Sequence, residues 1–170
     1  QTMEPDNFKK IILVNPSDIN IIKEMPTKET KAAKTILEIP IIGTFIYNLI
    51  MHHKRIRNYI ESKYFFKKTF LSSTLEDTYF ESAHKGNSAG KYLLASTKGN
   101  YVNIDITNAV KKADNLYIIS SRERNNAVAI TEKYLHLNKN IEATYISNSR
   151  YLPQLETPDK FKDIVLMFLQ

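Results

Sequence analysis

The stretch from Asn115 to Ser147, NLYIISSRERNNAVAITEKYLHLNKNIEATYIS, places a helical pattern between two short apolar runs. Leu116–Ile119 and Ala143–Ser147 are typical of strands in a buried parallel sheet. Between them, apolar residues recur at spacings of three, four and three and form one face of a helix: Ala127, Ile130, Tyr134 and Leu137. A strand, a helix and a strand in this order predict two parallel strands joined by a right-handed crossover.

The flanking sequence extends this pattern in both directions. Lys10–Asn15 is another apolar run, ended by Asn-Pro, and it predicts an earlier buried strand. A helix is predicted from Pro26 to about Glu38, and several aromatic-rich helical pieces follow from Ile39 to about Gly99. Thr157 and Pro158 are predicted to cap and start a last helix with a regular apolar face: Phe161, Ile164, Val165 and Phe168. The predicted fold is a three-layer α/β sandwich, with a partial parallel sheet and an inserted helical region.

Composition limits the classes of protein to consider. The chain has 170 residues, of which 42% are hydrophobic and 25% charged, and this indicates an ordered globular protein. It contains no cysteine, which excludes disulfides, thiolate metal sites and a cysteine nucleophile. No apolar run approaches the roughly 20 residues that span a bilayer. These features are typical of a cytoplasmic protein.

Most of the net charge of +6 lies in one segment, His52–Lys68. This segment contains six basic residues and one acidic residue, Glu61, and four aromatic residues are interleaved with them. Such a segment could contact nucleic acid or an anionic membrane. The sequence favours a solvated helical face with its aromatic side chains turned inward, and it contains no nucleic-acid-binding motif.

The order of these elements resembles the C-terminal half of the α/β-hydrolase superfamily, in which a helical cap enters after the sixth strand and two strand–helix units follow. The motifs that carry the resemblance are ILVNP at the end of the first strand, an acidic residue after the second, and LPQLETPDKF before the last helix. The resemblance covers the whole chain. It implies that residues 1–38 form the sixth strand and its helix, 39–99 the cap, and 100–170 the remaining core.

Members of that superfamily carry a serine on a G-x-S-x-G turn, followed in the chain by an acid and a histidine. No G-x-S-x-G occurs here, and the chain opens with Gln1. We therefore expect a C-terminal portion of a longer protein, with the nucleophile upstream.

The two other catalytic positions can be aligned residue by residue. SSRE places Glu123 at the position of the acid, although a solvated loop carboxylate beside Arg122 and Arg124 is an equally good interpretation. In the loop before the last helix, aligning Glu156 and Pro158 with the family's Glu-x-Pro places Arg150 at its glycine and Tyr151 at its histidine. A tyrosine, with a reference pKa of about 10, cannot act as the base near neutral pH. The catalytic histidine position is thus substituted.

Four histidines remain as candidates for another base. His52 and His53 diverge by roughly 100° on a helix and cannot easily share one metal, and the neighbouring Lys54 favours a solvent-facing role. Glu81 and His84 share a helical face, but a di-iron site needs two such pairs. We assign no chemistry to His136, and we expect neither a metal nor a cofactor.

The apolar segment Ile39–Met51 is too short to span a membrane. It can pack the cap onto the core, line a pocket for an apolar acyl group or ester, or anchor the protein at a membrane surface; the sequence favours these in that order. If there is a pocket, the candidate substrate-binding residues are Phe45, Tyr47, Tyr79 and His84.

The resulting functional hypothesis is a serine-hydrolase relative that acts on a small ester or acyl substrate, with this chain inactive alone. The alternative is a non-catalytic pseudo-hydrolase that binds a small apolar ligand or a protein partner through the cap. We expect Ile11–Val14 to be an exposed sheet edge that pairs with the missing N-terminal half or with a second copy. No nucleic-acid partner is expected.

Overall fold

The computed structural model describes residues 9–68, 71–86 and 88–170. They form two compact units. The sheet unit comprises the described residues of 1–23, 63–70 and 105–170, and the helical unit comprises those of 24–62 and 71–104.

The sheet unit is built on three parallel strands. They are β1 (Ile11–Val14), β2 (Leu116–Ser121) and β3 (Glu142–Ile146), in the spatial order β1-β2-β3. Leu13 of β1 lies beside Ile118, and Ile118 lies beside Ala143 of β3. The prediction of a parallel sheet from these three runs is confirmed.

Ten helices accompany the strands in the described residues. In chain order they are α1 (Ile19–Ile22), α2 (Lys28–Glu38), α3 (Pro40–Ile50), α4 (His53–Lys63), α5 (Ser73–His84), α6 (Gly90–Lys98), α7 (Thr107–Lys112), α8 (Ala127–Leu137), α9 (Pro153–Glu156) and α10 (Pro158–Leu169).

The alternation of side chains along β2 gives the sheet two buried faces. Leu116 and Ile118 pack with Ile130 and Tyr134 of α8 on one face. Tyr117 and Ile119 point to the other face, where they meet the predicted apolar residues of α10: Phe161, Ile164, Val165 and Phe168. Helices therefore cover both faces, which gives the three layers that the sequence predicts.

Two helix starts differ from their predictions. Helix α2 begins at Lys28 rather than at Pro26, because Thr27 caps it and forms a reciprocal capping box with Thr30. Thr157 does precede α10, but its hydroxyl donates to Pro153 O at 3.2 Å instead of capping α10. The short helix α9 lies directly before Thr157 and supplies this competing acceptor.

The assignment of α2 also differs. The sequence placed residues 24–38 with the sheet core, whereas in the structure they belong to the helical unit. α2 contacts α3 and α6 there. Its packing requires Gly43 of α3, since a methyl group at that position would lie 1.8 Å from Leu37 O.

Helix α3 has its packed side and its apolar side on opposite faces. The packed side carries Gly43 and Tyr47, and the Tyr47 hydroxyl donates to Ala83 O at 2.5 Å. Burial raises the pKa of the Tyr47 phenol. On the opposite side Ile41 is 84% exposed and Phe45 is 69% exposed.

No single helix among the described residues is long and apolar enough to cross a membrane. Only α2 and α3 taken together meet that requirement, and they are bent by 96° at the break between them.

Candidate functional site

The residues aligned with catalytic positions lie at the carboxyl edge of the sheet. Parallel strands end at the same edge, and ligands of open α/β sheets bind there. Asn15 follows β1, Glu123 follows β2 and Tyr151 follows β3. The topology thus brings the last two, which are 28 residues apart in sequence, to adjoining loops.

Asn15 connects these strand ends. Its Oδ1 accepts from Ser121 N at 2.8 Å, and its Nδ2 donates to Ser121 Oγ at 2.9 Å and to Tyr151 O at 3.0 Å, with a longer contact to Arg150 O at 3.3 Å. The residue has a left-handed backbone (φ 48°), a conformation that asparagine tolerates better than most residues. One side chain therefore joins the end of β1, the end of β2 and the loop after β3.

Two buried serines continue this network. Ser149 Oγ donates to Ser121 Oγ at 2.7 Å, and both side chains are fully buried. A nucleophilic serine needs access to substrate and an adjacent base. The geometry of Ser121 and Ser149 suits a structural role.

Glu123 is half-buried and points toward the loop after β3. Its Oε2 accepts from Ser149 N at 3.2 Å. Arg122 is exposed, while Arg124 is buried and donates from Nη1 to Pro16 O at 2.7 Å. Glu123 is thus attached to the loop that carries Tyr151.

The ring of Tyr151 has two neighbouring partners, one aromatic and one cationic. The Tyr64 ring is 5.6 Å away between centroids, and the Arg124 guanidinium lies 5.0 Å from the centre of the Tyr151 ring. The backbone N–H of Tyr151 donates to Tyr64 O at 3.1 Å. A tilted contact with another aromatic ring and a cation near the ring both favour a fixed ring position.

Glu156 holds the same loop from the other side. It is 6% exposed, and its carboxylate accepts from Arg150 N at 2.7 Å and from Phe66 N at 2.6 Å. In the sequence it served only to align the loop, and its structural role was not predicted. A buried carboxylate that accepts two backbone N–H bonds fixes the path of both segments.

The sheet unit brings no imidazole to its carboxyl edge among the described residues. His136 is near the end of α8, and because α8 connects two parallel strands, that end lies at the amino edge. The other three histidines belong to the helical unit. Within the described residues of the sheet unit, no histidine therefore lies at this edge.

His53 has partners that the sequence did not predict. Its Nδ1 lies 2.8 Å from Glu76 Oε1 and its Nε2 lies 3.2 Å from Asp77 Oδ1. The ring remains partly exposed at an open groove of about 630 Å³, lined by His52, His53, Lys54, Arg57, Asn58, Ser73, Glu76 and Asp77. The described residues contain no group of three acidic or histidine side chains arranged to hold a metal ion.

The candidate pocket residues of the helical unit occupy different environments. Tyr47 is 2% exposed, and its ring centroid lies 6.3 Å from that of His84. His84 pairs through Nδ1 with Phe80 O at 2.9 Å, rather than with Glu81 as its spacing suggested. Phe45 and Tyr79 are exposed. The structure therefore brings Tyr47 and His84 together.

The sequence matches no protein-family profile, and comparison with curated proteins finds no similar sequence. Solved structures do match. Cfl2 from Burkholderia cenocepacia has a TM-score of 0.69 at 10% identity, over 99% of this chain and 59% of that protein. Bromoperoxidase from Bacillus anthracis has a TM-score of 0.62 at 10% identity, over 99% and 60%.

A third match is 2-hydroxy-6-oxo-6-phenylhexa-2,4-dienoate hydrolase from a Rhodococcus strain, with a TM-score of 0.65 at 14% identity, over 98% of this chain and 57% of that enzyme. These proteins are α/β-hydrolases, and the chain spans somewhat more than half of their length. At these identities the likeness establishes the fold.

Proposed function

We propose that the chain supplies the acid loop and the histidine loop of a serine-hydrolase-like protein, because it has the fold of the C-terminal half of the α/β-hydrolases. The substrate of that protein is a small ester or acyl compound. This chain alone is inactive, because its histidine position holds Tyr151 and no G-x-S-x-G turn is present in its sequence.

One observation carries the proposal: the Glu123 carboxylate bonds to the backbone of the loop that holds Tyr151. In a working triad the acid accepts a hydrogen bond from the imidazole, orients it and stabilises its charged form. Here Glu123 Oε2 accepts from Ser149 N, two residues before Tyr151. The architecture of the acid and histidine loops is retained without the imidazole.

A tyrosine at this position does not replace the missing base. Its neutral hydroxyl can donate one hydrogen bond, but it has no second nitrogen to connect a carboxylate to a nucleophile. The proton relay from nucleophile to acid is therefore interrupted at Tyr151.

A Tyr151→His variant tests this assignment. We expect the introduced imidazole to lie beside Glu123, so that the carboxylate favours the charged imidazolium and raises the pKa of the new histidine. NMR titration of the single variant and of the double variant Tyr151→His, Glu123→Gln measures this effect. A higher histidine pKa in the single variant is the expected result.

Aryl-ester turnover is the second readout of the same experiment. Neither the original chain nor the Tyr151→His variant is expected to hydrolyse aryl esters alone. Joined to a half that carries a serine and an oxyanion hole, the histidine should recover roughly 10² to 10⁴-fold in rate by general-base catalysis. Identical histidine pKa values with and without Glu123 would show that the alignment of these two loops is wrong.

The packing of Tyr151 favours a second candidate function, a non-catalytic pseudo-hydrolase. The contacts of the Tyr151 ring with Tyr64 and Arg124 give this residue a structural use that does not depend on catalysis. Such a protein would bind a small apolar ligand or a protein partner through its helical unit. A correctly placed imidazole that restores no activity in the presence of the serine would support this role.

Among the described residues, no strand pairs with β1 on the side away from β2, and this edge provides a further element of the proposal, a site for another strand. Ile11 N donates to Asn115 O, directly before β2, and Asn15 N donates to Ile119 O of β2. By the alternation of a parallel strand, the N–H and C=O groups of Ile12 and Val14 point away from β2. We infer that this edge pairs with a strand of the remaining half or with a second copy of the chain.

Sedimentation of the isolated chain over a range of concentrations tests the edge. We expect self-association that weakens when Val14 is replaced by proline, which removes an outward N–H donor. Ser17→Pro is the matched control, because Ser17 is exposed and lies shortly after the strand, outside the helices and strands. A monomer at all concentrations would contradict the inference.

A further inference from the structure

Helix α3 carries a continuous apolar surface on its solvent side. The surface consists of Ile41, Ile42, Phe45 and Leu49, which are 84%, 50%, 69% and 48% exposed, and we term it the α3 patch. At about 100° per residue, these four positions fall within roughly 100° of the helix circumference. None of the 11 residues of α3 is charged.

The other side of α3 already has its packing partners. Gly43 lies against Leu37 of α2, and the buried Tyr47 bonds to Ala83 O. The α3 patch is therefore not the packing face of the helix within its own unit. Single exposed apolar residues are common, but a contiguous patch of large ones usually marks a site of contact.

A basic turn follows the α3 patch directly. Lys54 and Arg55 follow Leu49 by five and six residues, lie in the first turn of α4, and are both exposed. Positive charge is unfavourable at a helix N-terminus, where the backbone dipole is itself positive. In the described part of the chain neither residue forms an ion pair, whereas Arg57 pairs with Glu61 and Glu76. Their charge is thus available to an external anion.

We propose that the α3 patch and the first turn of α4 bind to an anionic phospholipid surface. A short helix with one apolar side can lie in the plane of the interface, with its apolar side chains at the boundary between headgroups and acyl chains. Lys54 and Arg55 then lie at the level of the headgroup phosphates, where each basic residue contributes to binding. Crossing the membrane is not involved, since α3 has only 11 residues and is bent sharply against α2.

The absence of cysteine permits a direct test on the 170-residue chain. An Ile41→Cys variant is labelled with an environment-sensitive fluorophore and mixed with vesicles of equimolar phosphatidylcholine and phosphatidylserine. A Val128→Cys variant, labelled at an exposed apolar position of α8, is the matched control. We expect a blue shift at position 41 with anionic vesicles, little shift with pure phosphatidylcholine, and little shift at position 128 with either.

Co-sedimentation with the same vesicles measures the two contributions separately. Phe45→Ser should weaken binding on the order of tenfold, because a large apolar side chain no longer leaves water. Replacing Lys54 and Arg55 by glutamine should weaken it roughly thirtyfold, at about 1 kcal/mol for each basic residue. All positions changed are exposed, and circular dichroism checks that each variant is folded.

Three results would overturn the proposal. One is the lack of binding to anionic vesicles; another is binding that Phe45→Ser leaves unchanged. The third is a lipid-free oligomer that Phe45→Ser disrupts, which would assign the α3 patch to a second copy of the chain instead.

Discussion

Asn15→Ala is expected to destabilise the sheet unit by about 4 kcal/mol, which is the largest effect we predict. The side chain makes bonds to Ser121 N, Ser121 Oγ and the Tyr151 carbonyl at 2.8–3.0 Å. Its removal leaves the amide of Ser121 without its acceptor, at a residue whose side chain is fully buried. Alanine also tolerates the left-handed backbone at this position less well than asparagine does.

Denaturation in urea, combined with hydrogen exchange of the Ser121 amide, measures this effect. Asn126→Ala is the matched control, because Asn126 also has a left-handed backbone (φ 58°) but makes no side-chain cap to its helix. Asn126→Ala should lower the unfolding free energy by only about 1 kcal/mol, because alanine disfavours the left-handed backbone. If the two variants were equally stable, the hydrogen bonds of Asn15 would contribute nothing measurable.

Glu156→Ala is the second large change, with an expected loss of about 3–4 kcal/mol. Two backbone N–H groups, of Phe66 and Arg150, lose a charged acceptor that lies 2.6 and 2.7 Å away. The carboxylate is 6% exposed, so water does not readily replace it. Because these bonds connect residues 64–66 to the loop after β3, we also expect the rings of Tyr64 and Tyr151 to separate.

Gln154→Ala provides the comparison, since Gln154 is an exposed residue of the same short helix. Its loss should change the unfolding free energy by less than about 0.5 kcal/mol. Glu156→Gln should fall between the two, because an amide retains one acceptor oxygen and presents an N–H₂ group to the second donor. A Glu156→Ala protein as stable as Gln154→Ala, with the ring resonances unchanged, would exclude the anchoring role.

Periodic segments could be predicted from sequence because the spacing of their apolar residues indicates which positions are buried. The apolar runs that contain Leu116–Ile119 and Ile11–Val14 became strands, and the apolar face of α10 packs on β2 as its spacing indicated. Each of these depends on many side chains of similar hydrophobicity. The order of such elements was sufficient to predict the α/β-hydrolase fold.

Specific polar contacts could not be predicted in the same way. Asn15 was interpreted only as the end of a strand, and Glu156 only as an alignment marker, because the partners of both are distant in sequence and are mainly backbone groups. His53 was expected to face solvent, and its carboxylate partners Glu76 and Asp77 lie on another helix. Backbone partners have no sequence signature, so the site could be located but its hydrogen bonds could not.

The return of the chain to the sheet unit at residues 63–68 determines how the helical unit can be exchanged. The helical unit consists of two separate insertions, 24–62 and 71–104, on either side of that return. Glu156 fixes the returning segment to the sheet through Phe66 N. A transplant of the helical unit from a relative must therefore respect four junctions. Because α2 contacts α6 and the Tyr47 hydroxyl bonds to Ala83 O, the two insertions must be exchanged together, with residues 63–68 left in place.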